Sequence, residues 1–302
     1  MYKQLSKCNL CPRNCLVNRN KNELGFCKAN NKLKIANYSL HKWEEPCISG
    51  INGSGAVFFS YCNMQCIYCQ NYEISFLHKG YNITTDELTD IFLELENNNA
   101  HNINLVTPTH YVPLIKESIL KAKEKGIKIP FVYNTSSYEN ISTLKSIKGL
   151  IDVYLPDLKY YSNDLSIKYS RCNDYFKIAS LAIEEMYNQV GQVQLDENGI
   201  ITKGVIVRHL VLPGHIDESK KIIKYLYDKY KDNIIISIMN QYTPLRELKY
   251  SNLNRTLTNN EYDEVVNYAY DLGIRNAYIQ EGETAKESFI PKFDDKVSSS
   301  VK

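Results

Sequence analysis

"FFSYCNMQCIYCQNYEI" (58–74) carries Cys62, Cys66 and Cys69 in C-x3-C-x2-C spacing. It overlaps the end of "GAVFFS" (55–60), a short apolar run that reads as a buried strand. A structural zinc site closes its tetrahedron with four ligands, so three cysteines on one loop would need a distant fourth. A [4Fe–4S] cluster takes one thiolate per iron. Three thiolates on one tight loop would hold three irons and leave the last iron as a Lewis-acidic position for a small ligand. On that reading the missing fourth cysteine is the functional feature. Zinc binding and ordinary buried thiols are the bland alternatives. A thiol–disulfide enzyme using Cys66 and Cys69 would want a lone C-x-x-C opening a helix, and Cys62 argues against it.

Outward from this loop, helix and strand patterns alternate. "TTDELTDIFLELENN" reads as a helix: Thr84 and Glu87 have capping-box spacing, and Leu88, Ile91, Phe92 and Leu95 share a face. "INLVT" (103–107) is the next strand, followed by a helix marked by Val112, Ile115, Ile119 and Ala122 that Gly126 can end. "IPFVYN" (129–134) and "IDVYLPD" (151–157) are strands, with a short helical stretch around 140–148 between them. A mostly helical insert, 162–203, closes on the turn signal Asn198-Gly199. "GVIVRHLVLPG" (204–214), "NIIISIMNQ" (233–241) and "NAYIQ" (276–280) complete the strands. Ile222, Ile223, Leu226 and Tyr230 stripe one further helix, and Thr258 with Glu261 opens another. Such alternation argues for parallel strands joined by right-handed crossovers. It fits a barrel, a part-barrel or an open doubly wound sheet, which periodicity does not separate.

The strands end in polar groups. They are Thr107-Pro108-Thr109-His110, Asn134-Thr135-Ser136-Ser137, Asp157 with Lys159, Arg208 with His209, and Asn240-Gln241. Parallel α/β proteins bind ligands at the carboxyl ends of their strands, so the set points to one shared site.

Taken together, the chain resembles the radical S-adenosylmethionine enzymes, most closely the branch labelled pyruvate formate-lyase activating enzyme-like. The resemblance covers almost the whole chain. It is carried by "CNLCPRNC", "GFCKA", "EEPCISG", "GSGAVFFSYCNMQCIYCQNYEIS", "NINLVTPTHY", "MYNQVGQVQLDENGIITKGVIVRHLVLPG" and "ISIMNQYTP", and by Tyr68 before the last cysteine of the loop. It implies an α/β fold, a partial (β/α)6 barrel with a small Cys-rich N-terminal metal-binding segment. Cys62, Cys66 and Cys69 would hold a [4Fe–4S] cluster whose open iron is chelated by S-adenosylmethionine. One electron would cleave the cofactor to methionine and a 5′-deoxyadenosyl radical, which takes hydrogen from a substrate. A flavodoxin or ferredoxin is the implied electron donor.

The resemblance also suggests cofactor contacts. Thr107 and Thr109 stand where many members have Gly-Gly-Glu, so a threonine hydroxyl or a backbone carbonyl would serve instead. Asn134 and Ser136 resemble ribose or carboxylate contacts, and Asp157 with Lys159 matches an Asp-x-Lys element. Arg208, Asn240 and Tyr68 complete the cofactor set. Tyr61 stands where the family often has glycine. No catalytic residue is assigned.

Eight of the nine cysteines lie in the first seventy residues. Cys8, Cys11, Cys15 and Cys27, spaced C-x2-C-x3-C-x11-C, fit one second metal centre, either zinc or an auxiliary iron–sulfur cluster. Cys47 reads as a spare thiol or a ligand, and Cys172 as a packing residue in a helix. The expected organisation is a Cys-rich segment (1–50), a core (51–290) and a loose tail (291–302).

The net charge of +2 gives no field for nucleic acid, and no apolar run is long enough to span a membrane. The start lacks the apolar core of a signal peptide, so a cytoplasmic protein is expected. Two other functions stay open. One is an activase acting on a glycine of a partner protein; the other is a non-enzymatic, zinc-stabilised binding module.

Overall fold

Apolar runs become strands and amphipathic stretches become helices across residues 2–280, the part of the chain described by this computed structural model. In chain order these are β1 (Leu33–His41), α1 (Pro46–Ser49), β2 (Ser54–Phe59), α2 (Tyr72–Ser75), β3 (Tyr81–Ile83), α3 (Thr85–Asn97), β4 (Ile103–Val106), α4 (Val112–Glu124), β5 (Phe131–Thr135) and α5 (Ile141–Lys145). Then follow β6 (Val153–Pro156), α6 (Asn163–Ser170), α7 (Tyr175–Val190), β7 (Gln194–Leu195), β8 (Ile201–Leu210), α8 (Ile216–Tyr230), β9 (Ile235–Met239), α9 (Asn259–Asp271) and β10 (Ala277–Ile279).

The sheet runs β10-β9-β8-β6-β5-β4-β2-β1-β3, with β7 pairing β8 off that path. Every pairing along that path from β2 to β10 is parallel, while β7 lies antiparallel on β8, β1 on β2 and β3 on β1. The β1–β3 edge therefore stops the parallel run, and the curved sheet is an incomplete α/β barrel. Strand alternation sorts the side chains. Phe131, Tyr133, Tyr154, Val205 and Ile236 join the large core beneath the helices, where Phe92 of α3 meets Phe131 edge-on at 5.3 Å. Val132, Val153, Leu155, Ile206 and Ile235 face the other way and enclose Cys47 and Ile48 of α1. A turn of helix from the chain's own start thus plugs the barrel interior.

Both capping boxes form: Thr84 with Glu87 on α3, and Thr258 with Glu261 on α9. Sequence patterning expects no strand before Gly55, yet β1 supplies nine residues. A bulge between Ile35 and Asn37 interrupts its alternation, which removes the period-two signal. The expected loose tail (291–302) and the last residues of the expected core lie outside the described residues.

Candidate functional site

β2 delivers the chain to the cysteine loop at its carboxyl end. Two residues turn the loop with left-handed backbone, Tyr61 at φ +75° and Gln65 at φ +53°. Tyr61 therefore adopts a conformation that glycine takes without steric cost. Cys66 is buried; Cys62 and Cys69 are partly covered. Each sulfur has a donor: the Met64 amide on Cys62 at 3.3 Å, Ser170 Oγ on Cys66 at 2.9 Å and Ser75 Oγ on Cys69 at 3.5 Å. Burial first, then the neighbouring Cys66 and Cys69 charges, push the Cys62 thiol up to about 12. Cys69 is raised by burial and Cys66, against the pull of Ser75 and Lys159. Such thiols stay protonated near neutrality unless a metal takes the proton's place.

Among the described residues, no three His, Cys, Asp or Glu side chains converge closely enough to hold a single metal ion. An iron–sulfur cube makes a different demand, because each thiolate takes its own iron. Three thiols on one loop, each with a hydrogen-bond donor at its sulfur, suit that group.

The strand ends bring four expected residues into one network. Arg208 donates from Nε to Asp157 at 2.9 Å and from Nη2 to Asn134 Oδ1 at 2.7 Å. Lys159 Nζ lies 2.8 Å from the other Asp157 oxygen. Burial raises the Asp157 carboxyl, but Arg208 and Lys159 outweigh it and hold the group below its ordinary value. Tyr160, next to Lys159, bonds Tyr68 of the cysteine loop, so this network borders the loop.

Sequence reasoning missed two members. Glu44 accepts from Arg208 Nη1 at 2.9 Å, and Glu45 is buried beside it. Burial pushes Glu45 up to about 7, against the Arg208 charge. Both belong to "EEPCISG", the stretch that carries α1 into the barrel, and the acid pair just before that helix was the available signal. Glu45 Oε2 and both amide atoms of Asn104 are buried without a hydrogen-bond partner.

The other expected contacts have protein partners of their own. Thr109 spends its hydroxyl on buried Glu139 at 2.5 Å, and the Thr107 amide pairs with the Asn134 carbonyl. The Ser136 carbonyl accepts from Tyr175. Asn240 pairs with Gln280 near β10. Tyr68 Oη meets Tyr160 Oη at 2.7 Å, within a group of rings that includes Tyr169 and Tyr242.

The model of the radical SAM superfamily matches residues 56–226, more than half of the chain and the span that holds the loop and most of this network. The chain belongs to the radical SAM superfamily. Its members are enzymes that use a [4Fe–4S] cluster and S-adenosylmethionine. An uncharacterized protein of Methanocaldococcus jannaschii, MJ0674, is 31% identical over 278 residues, 87% of this chain and 74% of that protein. Streptococcus suis SuiB bound to its precursor peptide SuiA is similar with a TM-score of 0.48 and 14% identity, covering 74% of this chain and 47% of SuiB. Methylornithine synthase, PylB, matches with a TM-score of 0.48 and 15% identity, covering 69% of this chain and 59% of that one. The chain thus spans about half the length of SuiB.

In this radical SAM protein the early cysteines form a second group. Cys8, Cys11 and Cys27 are buried and Cys15 is partly covered. Cys27 is raised by burial first, and the charges of Cys8 and Cys15 add to it. Burial likewise pushes Cys11 up to about 12, with Cys27 and Cys8 contributing. A side chain at Gly25 would collide with Cys15 Sγ, 2.4 Å from the Cβ position. Cys47 is apart from them, in the barrel interior.

Cys172 packs into the core as expected, but its helical placement is corrected. It lies in the link between α6 and α7 rather than in a helix, and its sulfur accepts from Arg13 Nη2 at 3.1 Å. Arg13 also donates to the carbonyls of Asn63, at 2.9 Å, and Ser170, at 3.1 Å. It stands 3.7 Å over the Phe26 ring. One side chain thereby ties the early cysteine segment to the Cys62 loop. His110 and His209, both buried, bond the carbonyls of Ser60 and Leu158, as structural histidines do.

Proposed function

We propose that this protein is a hydrogen-abstracting radical SAM enzyme of the pyruvate formate-lyase activating enzyme-like branch. Cys62, Cys66 and Cys69 hold three irons of the cluster. When bound, the cluster and S-adenosylmethionine supply a 5′-deoxyadenosyl radical for taking hydrogen from a substrate. The observation that carries this reading is the junction of the cysteine loop with the Asn134–Arg208–Asp157–Lys159 network.

In this reading Asp157 offers a carboxylate to the cofactor's amino group and Lys159 a cation to its carboxylate. The Arg208 fork fixes Asp157 and Asn134 before any ligand arrives, so little ordering is left for binding. The tyrosine rings around Tyr68 cover the loop and keep water from it. A flavodoxin or ferredoxin donates the electron. Cys8, Cys11, Cys15 and Cys27 hold a second, iron–sulfur centre that braces the early segment, since zinc, the other reading of their spacing, needs thiols that converge on one ion.

The plug bears on the substrate. Glu44, Glu45 and α1 fill the barrel floor, which favours a small substrate group over a partner protein's glycine loop entering deeply. The unpartnered Glu45 Oε2 and Asn104 Oδ1 favour a group that donates hydrogen bonds, and Asn104 Nδ2 favours one that also accepts.

The test is anaerobic reconstitution with iron and sulfide, followed by reduction and addition of S-adenosylmethionine. The expected result is slow release of 5′-deoxyadenosine, abolished when Cys62, Cys66 and Cys69 are all alanine. Equal product from that triple variant would overturn the reading.

A further inference from the structure

We infer that Ser170 donates a hydrogen bond to the ligating Cys66 sulfur and raises the reduction potential of the cluster, with Tyr160 competing for the same proton. The inference rests on the proposed ligand role of Cys66. It assigns a positioning role to residues that no motif marks.

Four atoms stand in a row. Ser170 Oγ is 2.9 Å from Cys66 Sγ, Tyr160 Oη is 2.7 Å from Ser170 Oγ, and Tyr68 Oη is 2.7 Å from Tyr160 Oη. Ser170 and Tyr160 are buried, so water does not break the row. Each hydroxyl carries one proton and rotates to suit its neighbours. All three contacts are filled together only when every proton points the same way along the row.

With a free thiol at Cys66, the row runs from Cys66 to Ser170 to Tyr160 to Tyr68. A metal-bound sulfur has lost its proton, so it can only accept. Ser170 then turns its proton to Cys66, and Tyr160, whose own proton goes to Tyr68, competes for it as an acceptor. Adding an electron increases the negative charge on the sulfurs. A donor aimed at one of them stabilises the reduced cluster more than the oxidised one, which raises the potential.

The backbone keeps Ser170 in place. Ser170 ends α6, and Arg171 turns the chain away with φ +51°. Arg13 donates to the carbonyls of both residues and to Cys172 Sγ. The Ile67 amide bonds the Tyr169 carbonyl at 2.9 Å, joining the same corner to the cysteine loop.

The experiment is a redox titration of the anaerobically reconstituted full chain, without S-adenosylmethionine, followed by the electron paramagnetic resonance signal of the reduced cluster. Ser170→Ala is expected to move the midpoint potential to a more negative value at unchanged iron and sulfide content. Ser170→Thr, which keeps the hydroxyl, should stay close to wild type. Tyr160→Phe, which removes the competing acceptor, should shift it the opposite way by less. Identical potentials for Ser170→Ala and wild type at equal iron content overturn the inference. Should Ser170→Ala fail to hold iron, Tyr160→Phe decides, and an unshifted potential there overturns it. A wild-type chain whose cluster does not depend on Cys62, Cys66 and Cys69 sinks the functional reading and this one together, before any Ser170 variant is titrated.

Discussion

Cys62, Cys66 and Cys69 are arranged by the sheet, whereas Cys8, Cys11, Cys15 and Cys27 are arranged by their own backbone. The first group sits where β2 ends, and distant elements serve its sulfurs: Ser75 from α2 and Ser170 from α6. The second group is tied by short local bonds, such as Cys8 N to Val17 O at 3.0 Å and Leu16 N to Cys8 O at 2.9 Å. Four non-glycine residues there, Asn14, Leu16, Asn22 and Lys28, take positive φ. Left-handed backbone costs roughly 1–2 kcal/mol per residue, so this segment stores strain that something must hold. The contrast teaches that the Cys62 loop draws its sulfur donors from distant elements, while the early cysteines are held largely by local backbone bonds.

Several variants break or sharpen that comparison. The largest effect belongs to the alanine triple of Cys62, Cys66 and Cys69, which should bring 5′-deoxyadenosine to the no-protein level. The alanine triple of Cys8, Cys11 and Cys15 should lower thermal stability and keep measurable product. If both triples lose product equally at equal folded fraction, the two sites are one functional unit and the contrast fails.

Next comes the network beside the loop. Asp157→Ala strips Arg208 and Lys159 of their shared anion, and leaving buried charges unpaired costs about 3–5 kcal/mol. Urea unfolding of the metal-free chain reads this directly; a loss under about 1 kcal/mol would show the network to be solvated.

Acidity supplies the third test. Burial raises Glu139 from 4.5 to about 7, against hydrogen bonds from Thr109, Thr135 and Tyr133. The folded state then holds a proton that the unfolded chain has already released. Its contribution to stability is full below pH 4.5 and falls as pH rises to about 7, by on the order of 3 kcal/mol. Glu139→Gln should flatten that slope in pH-dependent unfolding. An unchanged slope would place the titration elsewhere.

Smaller effects follow. Arg13→Ala removes the tie between the two cysteine groups and should cost about 2 kcal/mol, with faster proteolysis of the early segment. Thr84→Ala removes one capping hydroxyl of α3, far from either group, and should cost about 1 kcal/mol in chemical denaturation without altering product.

Much of this was legible in the chain. The alternation of apolar runs located the parallel strands, because a strand buried on both faces reads as a continuous apolar stretch. The capping boxes located two helix starts. The Asp157–Lys159 pair followed from two-residue spacing on extended backbone. β1 was not legible, since its bulge spoils alternation. Nor was Ser170, because nothing local to α6 signals a cysteine more than a hundred positions earlier. Thr109 looked like a ligand contact from its place after β4, yet its hydroxyl turns to Glu139, a partner known only once the chain is folded.

By itself the sequence determined the α/β class, the register of apolar faces and the three-cysteine loop, since these rest on periodicity and spacing along one stretch of backbone. Only the tertiary structure decided which polar groups meet. Arg208 joins Asn134, Asp157 and Glu44 from separate elements, and Ser170 reaches Cys66 across the fold. Such contacts depend on how parallel strands stack and how a plug enters between them, and neither leaves a periodic trace in the order of the residues.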